Sequence, residues 1–176
     1  HDLSDVRGHE KKKKKKSGYS YTLYRRINTM SLPDPLFDLR TFFWLGNYQA
    51  GINAGTRSKI QTDAQRLERD IYMYRCYIEQ ANYPIVLEEI AENHKSKALL
   101  AVRLLAQHTK EKLNGGNIVQ INEDFAPKLE ALLSEEYNPE EDDGKWLQII
   151  GGILYNRMGL LEKAFKTVFN STALEA

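Results

Sequence analysis

Turn signals return along this chain at nearly regular intervals, and they constrain the fold more than any other feature. They fall near Gly46, Asn82, Gly116 and Gly159, which lie 36, 34 and 43 residues apart. Between them, apolar residues recur at steps of three and four, the spacing of one face of an α-helix. No segment shows the strict alternation or the β-branched clusters that indicate strands. The sequence therefore predicts an all-α body in which eight helices form four hairpins.

Boundary signals place the eight helices. The predicted starts are Asp34 as N-cap with Pro35 after it, Tyr48, a capping Asp63, Pro84, a capping Ser96, and positions just after Gly116, the acidic run 138–144 and Gly159. Short polar side chains cap helices by accepting bonds from the first backbone N–H groups, and proline is tolerated only in the first turn. Pro127 lies inside the sixth segment, so a kink or a break is expected there. The acidic run is predicted to be a surface loop.

Each helix has a predicted buried face. The apolar residues that share these faces are, in chain order, Leu36, Leu39, Phe42, Phe43, Trp44; Ile52; Leu67, Ile71, Tyr74, Ile78; Ile85, Val86, Leu87, Ile90; Ala98, Leu99, Val102, Leu105, Ala106; Ile118, Ile121, Phe125, Leu129, Leu132; Trp146, Ile149, Ile150, Ile153; and Leu161, Ala164, Phe165, Val168. Helices that are apolar on one side pack against neighbours on that side.

The repeat period is typical of one architecture. Tetratricopeptide repeats have a period of 34 residues and form a helical hairpin each. Five residues after a turn, a small or apolar residue precedes a larger one at 51–52, 86–87 and 164–165. The small residue would let paired helices approach, and the larger one would fill the groove between pairs. We predict a tetratricopeptide-like, right-handed α-solenoid of about four hairpins, with a plain helical bundle as the alternative.

The first 33 residues differ from the rest in charge. They hold nine Lys or Arg against three Asp or Glu, including six lysines in a row at 11–16, whereas residues 34–176 hold 16 against 21. This segment has no sustained apolar period and is predicted to be a disordered basic tail. It would serve as a localisation signal, a phosphate-binding arm or a solvated tail. A further hypothesis makes Met30 the natural start, so that the tail is not native.

The remaining residues, 34–176, are predicted to form the helical repeat domain. Residues 172–176 have the pattern of another helix beginning, so we expect a truncated solenoid with an exposed apolar end. The single cysteine, Cys76, cannot form an internal disulfide, which fits a reducing compartment. No stretch of about 18 apolar residues exists. We expect a soluble, cytoplasmic protein.

Candidate chemistry is sparse. His94 and His108 are 14 residues apart with no second Cys or His pair nearby, so no zinc-ligand spacing arises. The glutamate pairs at 88–89 and 135–136 are adjacent on helices and point about 100° apart, which prevents them from flanking one bond. Cys76 has no predicted base, and the glycine pairs at 115–116 and 151–152 lack the lysine of a phosphate loop. We predict no catalytic, cofactor or metal residues.

Aromatic residues are the best candidates for an interface. Phe42, Phe43, Trp44 and Tyr48 form one cluster, which we interpret mainly as core packing between the first two hairpins and alternatively as a docking surface. Tyr72, Tyr74 and Tyr77 form another, in which Tyr72 is predicted to face outward. The residues that bind a partner cannot be assigned at this level.

Several segments resemble one family. They read PLFDLR at 35–40, FWLGNYQAGIN at 43–53, LERD at 67–70 before YRCYI at 74–78, Tyr83 followed by VLEEI at 86–90, and AVRLLA at 101–106. These segments resemble the coatomer epsilon subunit family over residues 35–170, most closely in the first ninety residues of the resemblance. Residues 107–145 match only loosely, and family members continue with further repeats.

The resemblance implies a structural, non-enzymatic subunit of the COPI vesicle coat, which carries cargo from the Golgi to the endoplasmic reticulum and within the Golgi. It also implies a grip on the C-terminal region of the coatomer alpha subunit, and location on the cytoplasmic side of Golgi membranes and COPI vesicles through the assembled coat. It implies no cofactor and no nucleic acid. The alternative is a tetratricopeptide adaptor or co-chaperone that binds a peptide, which would need Lys, Arg and Asn repeating along the inner helices. An enzyme using Cys76 is a third hypothesis.

Overall fold

A computed structural model of the chain describes residues 34–134 and 137–169. Those residues contain eight α-helices and no strand: α1 Phe37–Trp44, α2 Tyr48–Arg57, α3 Asp63–Glu79, α4 Tyr83–Glu89, α5 Lys97–Leu113, α6 Ile118–Ser134, α7 Asp142–Arg157 and α8 Leu161–Val168. They belong to one compact unit that begins at Pro35. The prediction of an all-α body of eight helices is confirmed. The predicted basic tail, Glu135, Glu136 and residues 170–176 lie outside the described residues.

The same turn closes all four hairpins. Each turn contains one residue with positive φ, which we call the turn residue: Gly46, Ala81, Gly115 and Gly159. In each case the next backbone N–H donates to a carbonyl five residues earlier, from residue 47 to 42 at 2.9 Å, 82 to 77 at 2.8 Å, 116 to 111 at 3.3 Å and 160 to 155 at 2.9 Å. This is the Schellman arrangement, which ends a helix and satisfies its last carbonyls. The repeated turn signals in the sequence therefore correspond to four turns with the same backbone conformation.

Helix starts agree with the sequence in some hairpins and differ in others. Ser96 caps α5 as predicted, since its hydroxyl accepts from the Leu99 N–H at 3.1 Å. The cap of α3 is Thr62, one residue before the predicted Asp63, and its hydroxyl accepts from the Gln65 N–H at 3.1 Å. Asp63 instead lies in the first turn, where its charge suits the helix dipole.

The predicted cap at Asp34 is wrong. Helix α1 begins three residues later, at Phe37, and its flanking residue Leu36 makes no side-chain cap. Pro35 and Leu36 form a turn that buries the Leu36 side chain in the core. Burial of this leucine therefore sets the start of the helix.

The stacking of the hairpins follows one rule. The first helix of each hairpin (α1, α3, α5, α7) packs on the first helix of the next. The second helix (α2, α4, α6) packs on its own partner and on the first helix of the following hairpin. The second helices α6 and α8 are linked by an ion pair between Glu130 and Lys163. Successive hairpins stacked this way form a solenoid-like array, as predicted. Helix α3 also contacts α7, two hairpins away.

The core consists of two clusters. The larger extends from α3 to α7 and its turn, and its buried members include Ile71, Val86, Val102, Phe125 and Ile150. The smaller joins the first hairpin to α3 and contains Leu36, Leu39, Phe43, Ile52, Tyr72 and Cys76. The partly buried Tyr77 and Trp146 pack against both. Most of the predicted buried faces are thereby confirmed.

Four predicted core residues are exposed instead: Trp44, Ile118, Leu161 and Phe165. Trp44 is the last residue of α1, and Ile118 is the first residue of α6. Leu161 and Phe165 lie on α8, which packs closely on α7 and contacts α6 through the ion pair between Lys163 and Glu130. Their exposure follows from their place in the stack.

The sequence predicted a kink or a break at Pro127, and the break is wrong because helix α6 is continuous through this residue. Pro127 lies on the exposed side, whereas Ile121, Phe125 and Leu129 are buried on the other. The burial of that face holds the helix together around the missing hydrogen bond. The acidic run also differs from the prediction, because α7 begins at Asp142 and takes the end of the run into its first turn.

Candidate partner-binding surface

Aromatic rings form a continuous chain across the first helices. The ring centroids of Trp44 and Phe43 are 5.2 Å apart, those of Phe43 and Tyr72 5.2 Å, and those of Tyr72 and Trp146 5.6 Å. All three contacts are edge-to-face, the arrangement that aromatic quadrupoles favour. The chain joins α1, α3 and α7, and its Trp44 end is exposed.

Arg75 of α3 lies over this chain. Its guanidinium carbon is 4.4 Å from the centroid of Phe43, 5.4 Å from that of Tyr72 and 5.8 Å from that of Trp44. Burial lowers the pKa of Arg75 to about 10, and Glu79 partly opposes that shift. The side chain therefore keeps its charge at neutral pH. A buried cation over stacked rings fixes their positions and places positive potential next to Trp44.

The predicted aromatic clusters divide between core and surface. Phe43 is in the core, in agreement with the packing interpretation, while Trp44 is the exposed member of the same cluster. Tyr72 was predicted to face outward, and that prediction is wrong because its ring is buried between Phe43 and Trp146. Tyr74 and Tyr77 are partly buried.

A cluster of polar side chains joins the C-terminal ends of α3, α5 and α7, each of which is the first helix of its hairpin. The Arg157 guanidinium donates to Glu79 Oε1 at 2.5 Å and to Thr109 Oγ1 at 3.1 Å. Arg157, Thr109 and Lys112 line an open cavity of about 480 Å³ between α5 and α7. The Glu79 carboxylate neutralises Arg157, so Lys112 supplies the remaining positive charge at this cavity.

His108 is buried beside that cavity. Asn122 Nδ2 donates to the Met158 carbonyl at 3.0 Å, which leaves Asn122 Oδ1 to accept from His108 Nε2 at 3.0 Å. The Nε2 atom therefore carries the proton. Burial lowers the pKa of His108, against the raising effect of the Asn122 bond, and keeps the ring neutral. Its role is to tie α5 to α6 and to the turn after α7.

The structure does not bring the remaining sequence candidates together. His94 accepts from the Ser96 N–H at 3.0 Å in the loop before α5, far along the chain from His108. Glu88 and Glu89 are both exposed on α4, and Glu135 and Glu136 are not described. Within residues 34–134 and 137–169, no three His, Cys, Asp or Glu side chains are placed to share a metal ion.

Cys76 is completely buried in the smaller cluster. Burial raises the pKa of Cys76 to about 11, which keeps the thiol protonated at neutral pH. A Cβ atom added at Gly51 would lie 3.2 Å from the sulfur. The thiol is thus a packing group under the small residue that the repeat pattern singled out.

The glycine pairs are explained by a turn and by close helix packing, as predicted. Gly115 is a turn residue with φ of 80°. A Cβ at Gly116 would lie 2.8 Å from Ile121, and one at Gly152 would lie 2.5 Å from Val168 of α8.

Sequence reasoning missed the ties between distant hairpins. Arg157 meets Glu79 from 78 residues away, and Asp143 accepts from the Ser96 hydroxyl and, at 3.0 Å, from the Lys97 N–H. Neither pairing could be predicted from residue spacing within one helix, because both depend on how the hairpins stack. Arg75 was missed for the same reason. None of the described helices combines the length and apolarity needed to cross a membrane.

The fold defines a class, that of all-α proteins built from stacked helical hairpins. A model of the coatomer epsilon subunit family matches residues 32–176. The chain is 29% identical over 145 residues to the coatomer subunit epsilon of Caenorhabditis elegans, covering 82% of this chain and 46% of that protein. It is 28% identical over 163 residues to that of Dictyostelium discoideum, covering 77% of this chain and 54% of that protein.

Identity to coatomer subunit epsilon-1 of Oryza sativa subsp. japonica is 42% over a shorter stretch of 77 residues, 44% of this chain and 26% of that protein. The chain belongs to the coatomer epsilon subunit family. It spans about half the length of the first two relatives.

Proposed function

We propose that this chain is a structural, non-enzymatic subunit of the COPI vesicle coat that acts by binding the coatomer alpha subunit. The observation that carries the proposal is the family match over residues 32–176, together with relatives named as coatomer subunits in animal, amoeba and plant. Its place would be the cytoplasmic side of Golgi membranes and COPI vesicles, in Golgi to endoplasmic reticulum and intra-Golgi transport. Attachment to the membrane would come through the assembled coat alone.

The surface best suited to the partner is the face that the first helices share. Stacked repeats bind extended or helical segments along such faces. Exposed Trp44, held over Arg75 at one edge, offers an aromatic anchor of the kind that dominates binding energy. Lys112 and the cavity between α5 and α7 offer a polar contact further along. We infer that a segment of the alpha subunit packs against Trp44 and extends toward Lys112.

Co-purification tests this function. The full 176-residue chain would be co-expressed with the C-terminal region of a coatomer alpha subunit and followed by size-exclusion chromatography. We expect stable co-elution, and we expect Trp44→Ala to weaken it by at least about tenfold, because truncating an interface anchor typically costs about 2 kcal/mol or more and about 1.4 kcal/mol is a factor of ten. Val119→Ala is the matched control, since Val119 is an exposed apolar residue on the second helix α6.

A folded, helical chain that elutes apart from the alpha subunit would contradict the proposal. The opposite pattern would also contradict it. If Val119→Ala weakens binding of the alpha subunit and Trp44→Ala does not, the partner binds the second helices instead. The adaptor alternative predicts binding of a peptide with a free C-terminal carboxylate. Two cations on the first helices are unsuited to that role, because Arg75 is buried over the rings and Arg157 is held by Glu79.

A further inference from the structure

His108 belongs to a chain of hydrogen bonds that fastens the end of α7 to the third hairpin. It lies near the end of α5 and is fully buried. Its Nε2 donates to Asn122 of α6 at 3.0 Å, and the Asn122 amide donates at 3.0 Å to the carbonyl of Met158, in the turn after α7. One residue further along α5, Thr109 accepts from Arg157 at 3.1 Å. We call these five residues the joint.

Only one ring nitrogen of His108 has a partner in this joint. Nδ1 is buried and makes no hydrogen bond with any group of the described residues. Nε2 already carries its proton for the bond to Asn122, so a second proton would bind at Nδ1. That proton would create a buried charge and a donor without an acceptor, and both are costly. The joint therefore accepts the neutral ring and resists the charged one.

The groups around the ring reinforce this preference. Phe125 of α6 meets the ring edge to face, with the two centroids 5.7 Å apart. Burial lowers the pKa of His108 most strongly, and the bond to Asn122 opposes that shift. The cations of Lys112 and Arg157 add to the lowering of the pKa. A second proton on the ring would thus place a positive charge beside two others.

No carboxylate of the described residues is buried beside the ring. Those on the helices that pack around it are exposed: Glu79 on α3, Glu111 on α5, and Glu123 and Asp124 on α6. Glu79 is bonded to the arginine of the joint, and Glu111 raises the pKa of His108 least among the groups that act on it. The other cation nearby, Lys128 on α6, lies 4.7 Å from the centroid of Phe125. A charged His108 would therefore have no buried counter-ion within the described part of the chain.

We propose that the joint is an acid-sensitive switch, in which protonation of His108 breaks the link through Asn122 and opens the start of α6 together with the end of α7. Opening releases the ring to an environment where its pKa returns to the ordinary value of about 6.5, so acid favours the open state. The stabilising effect of the joint is complete above about pH 6.5, and it is lost as the pH falls from there toward the lower pKa of the closed state. This inference does not rest on the coat function.

Hydrogen–deuterium exchange of the full chain at about pH 7.5 and about pH 5.5 would locate the opening, with rates corrected for the intrinsic pH dependence of amide exchange. We expect the corrected rates of peptides covering 118–126 and 154–162 to rise about fivefold to tenfold in acid, because each pH unit below about 6.5 favours the protonated open state by about tenfold. Peptides from α2 are the internal control. Opening of the first hairpin does not expose His108, so their corrected rates should change less than about twofold.

His108→Gln tests the residue itself. The glutamine amide can still donate to Asn122, but it does not take up a proton between these pH values. We expect the acid response of the two joint peptides to disappear, whatever the loss in overall stability. A histidine that acts only in packing would leave the wild-type chain and His108→Gln with the same pH dependence. His94→Gln is the matched control and should keep the wild-type response, because His94 lies in the loop before α5, outside the joint.

Two results of the exchange experiment would overturn the proposal. One is a wild-type chain whose corrected rates in the joint peptides are the same at both pH values, and the other is an acid response that persists in His108→Gln. If His108→Gln does not fold, imidazole NMR of the wild-type chain decides instead. One of the four histidine rings should titrate at lower pH than the rest, with its proton on Nε2, and four rings that titrate together would contradict the switch.

Discussion

Tyr72 illustrates what a single position contributes when several helices meet. Its ring contacts Phe43 of the first hairpin and Trp146 of the fourth. We predict that Tyr72→Ala lowers the free energy of unfolding by about 3–5 kcal/mol, the usual cost of removing a buried aromatic side chain. Trp44→Ala, in the same ring chain but exposed, should lower it by less than about 1 kcal/mol.

Urea denaturation followed by circular dichroism would compare the two variants. Equal shifts in midpoint would contradict the burial of Tyr72. The sequence placed Tyr72 outward because the face formed by Ile71, Tyr74 and Ile78 lies elsewhere on α3. Helix α3, however, contacts α1, α2, α4, α5 and α7, and a helix surrounded in this way buries more than one face.

The Cys76 thiol provides a second prediction at this scale. Burial raises its pKa from 9.0 to about 11, which lowers the thiolate fraction at pH 8 by about 100-fold. We predict that Ellman's reagent modifies native Cys76 at least about 100-fold more slowly than it modifies the chain unfolded in urea. Rapid modification of the folded chain would show that the smaller core cluster opens easily.

The raised pKa of Cys76 also makes the free energy of unfolding depend on pH. The folded state holds the Cys76 proton more tightly than the unfolded state does, so the contribution to stability is complete below pH 9. It is lost as pH rises from about 9 toward 11. Cys76→Ser should remove this alkaline dependence, and its unfolding midpoint should change less between pH 8 and pH 10 than that of the wild type.

At the scale of the element, the four turns are chemically unequal although their geometry is the same. Three turn residues are glycines and the fourth is Ala81, with φ of 59°. A Cβ atom in this region costs about 1–2 kcal/mol, partly offset because glycine loses more freedom on folding. We predict that Ala81→Gly raises the free energy of unfolding by about 0.5–1 kcal/mol.

Gly115→Ala is the reciprocal control. A Cβ at Gly115 would meet no atom within 4 Å, so the change tests the backbone conformation alone. It should lower the free energy of unfolding by about 1 kcal/mol. Thermal unfolding of both variants would provide the comparison, and a stabilised Gly115→Ala would show that this turn adopts another conformation in solution.

Sequence signals located these elements closely wherever a local interaction sets the boundary. Ser96 was predicted correctly because its hydroxyl caps the helix that it precedes. The start at Asp34 and the break at Pro127 were predicted wrongly because tertiary burial decides them, through Leu36 in one case and Phe125 in the other. The apolar pattern predicted that Leu36 and Phe125 are buried, but it did not show that their burial outweighs the capping preference of Asp34 and the hydrogen bond lost at Pro127.

At the scale of the whole molecule, the stacking order could be predicted from the repeat period, whereas its long-range ties could not. The contact of α3 with α7 depends on the angle accumulated over two hairpins. The bond from Arg157 to Glu79 depends on the same angle. The candidate surface could not be predicted for the same reason, because Arg75 and Trp44 come close together only when α1 and α3 pack.

The division of the core into two clusters predicts how stability varies along the array. Hairpins two to four share the larger cluster and are tied further by the contact of α3 with α7, so they should open together. The first hairpin adds only the smaller cluster, and α8 packs on α7 with one exposed ion pair to α6, between Lys163 and Glu130. In a linear array, each unit is stabilised chiefly by its neighbours, so units at the ends open first.

Hydrogen–deuterium exchange measured by mass spectrometry would test this order. We predict that peptides from α1, α2 and α8 exchange by local opening, at least about tenfold faster than peptides from α5 and α7, which lie between packed neighbours. Uniform protection from α1 to α8 would mean that the two clusters behave as one cooperative core.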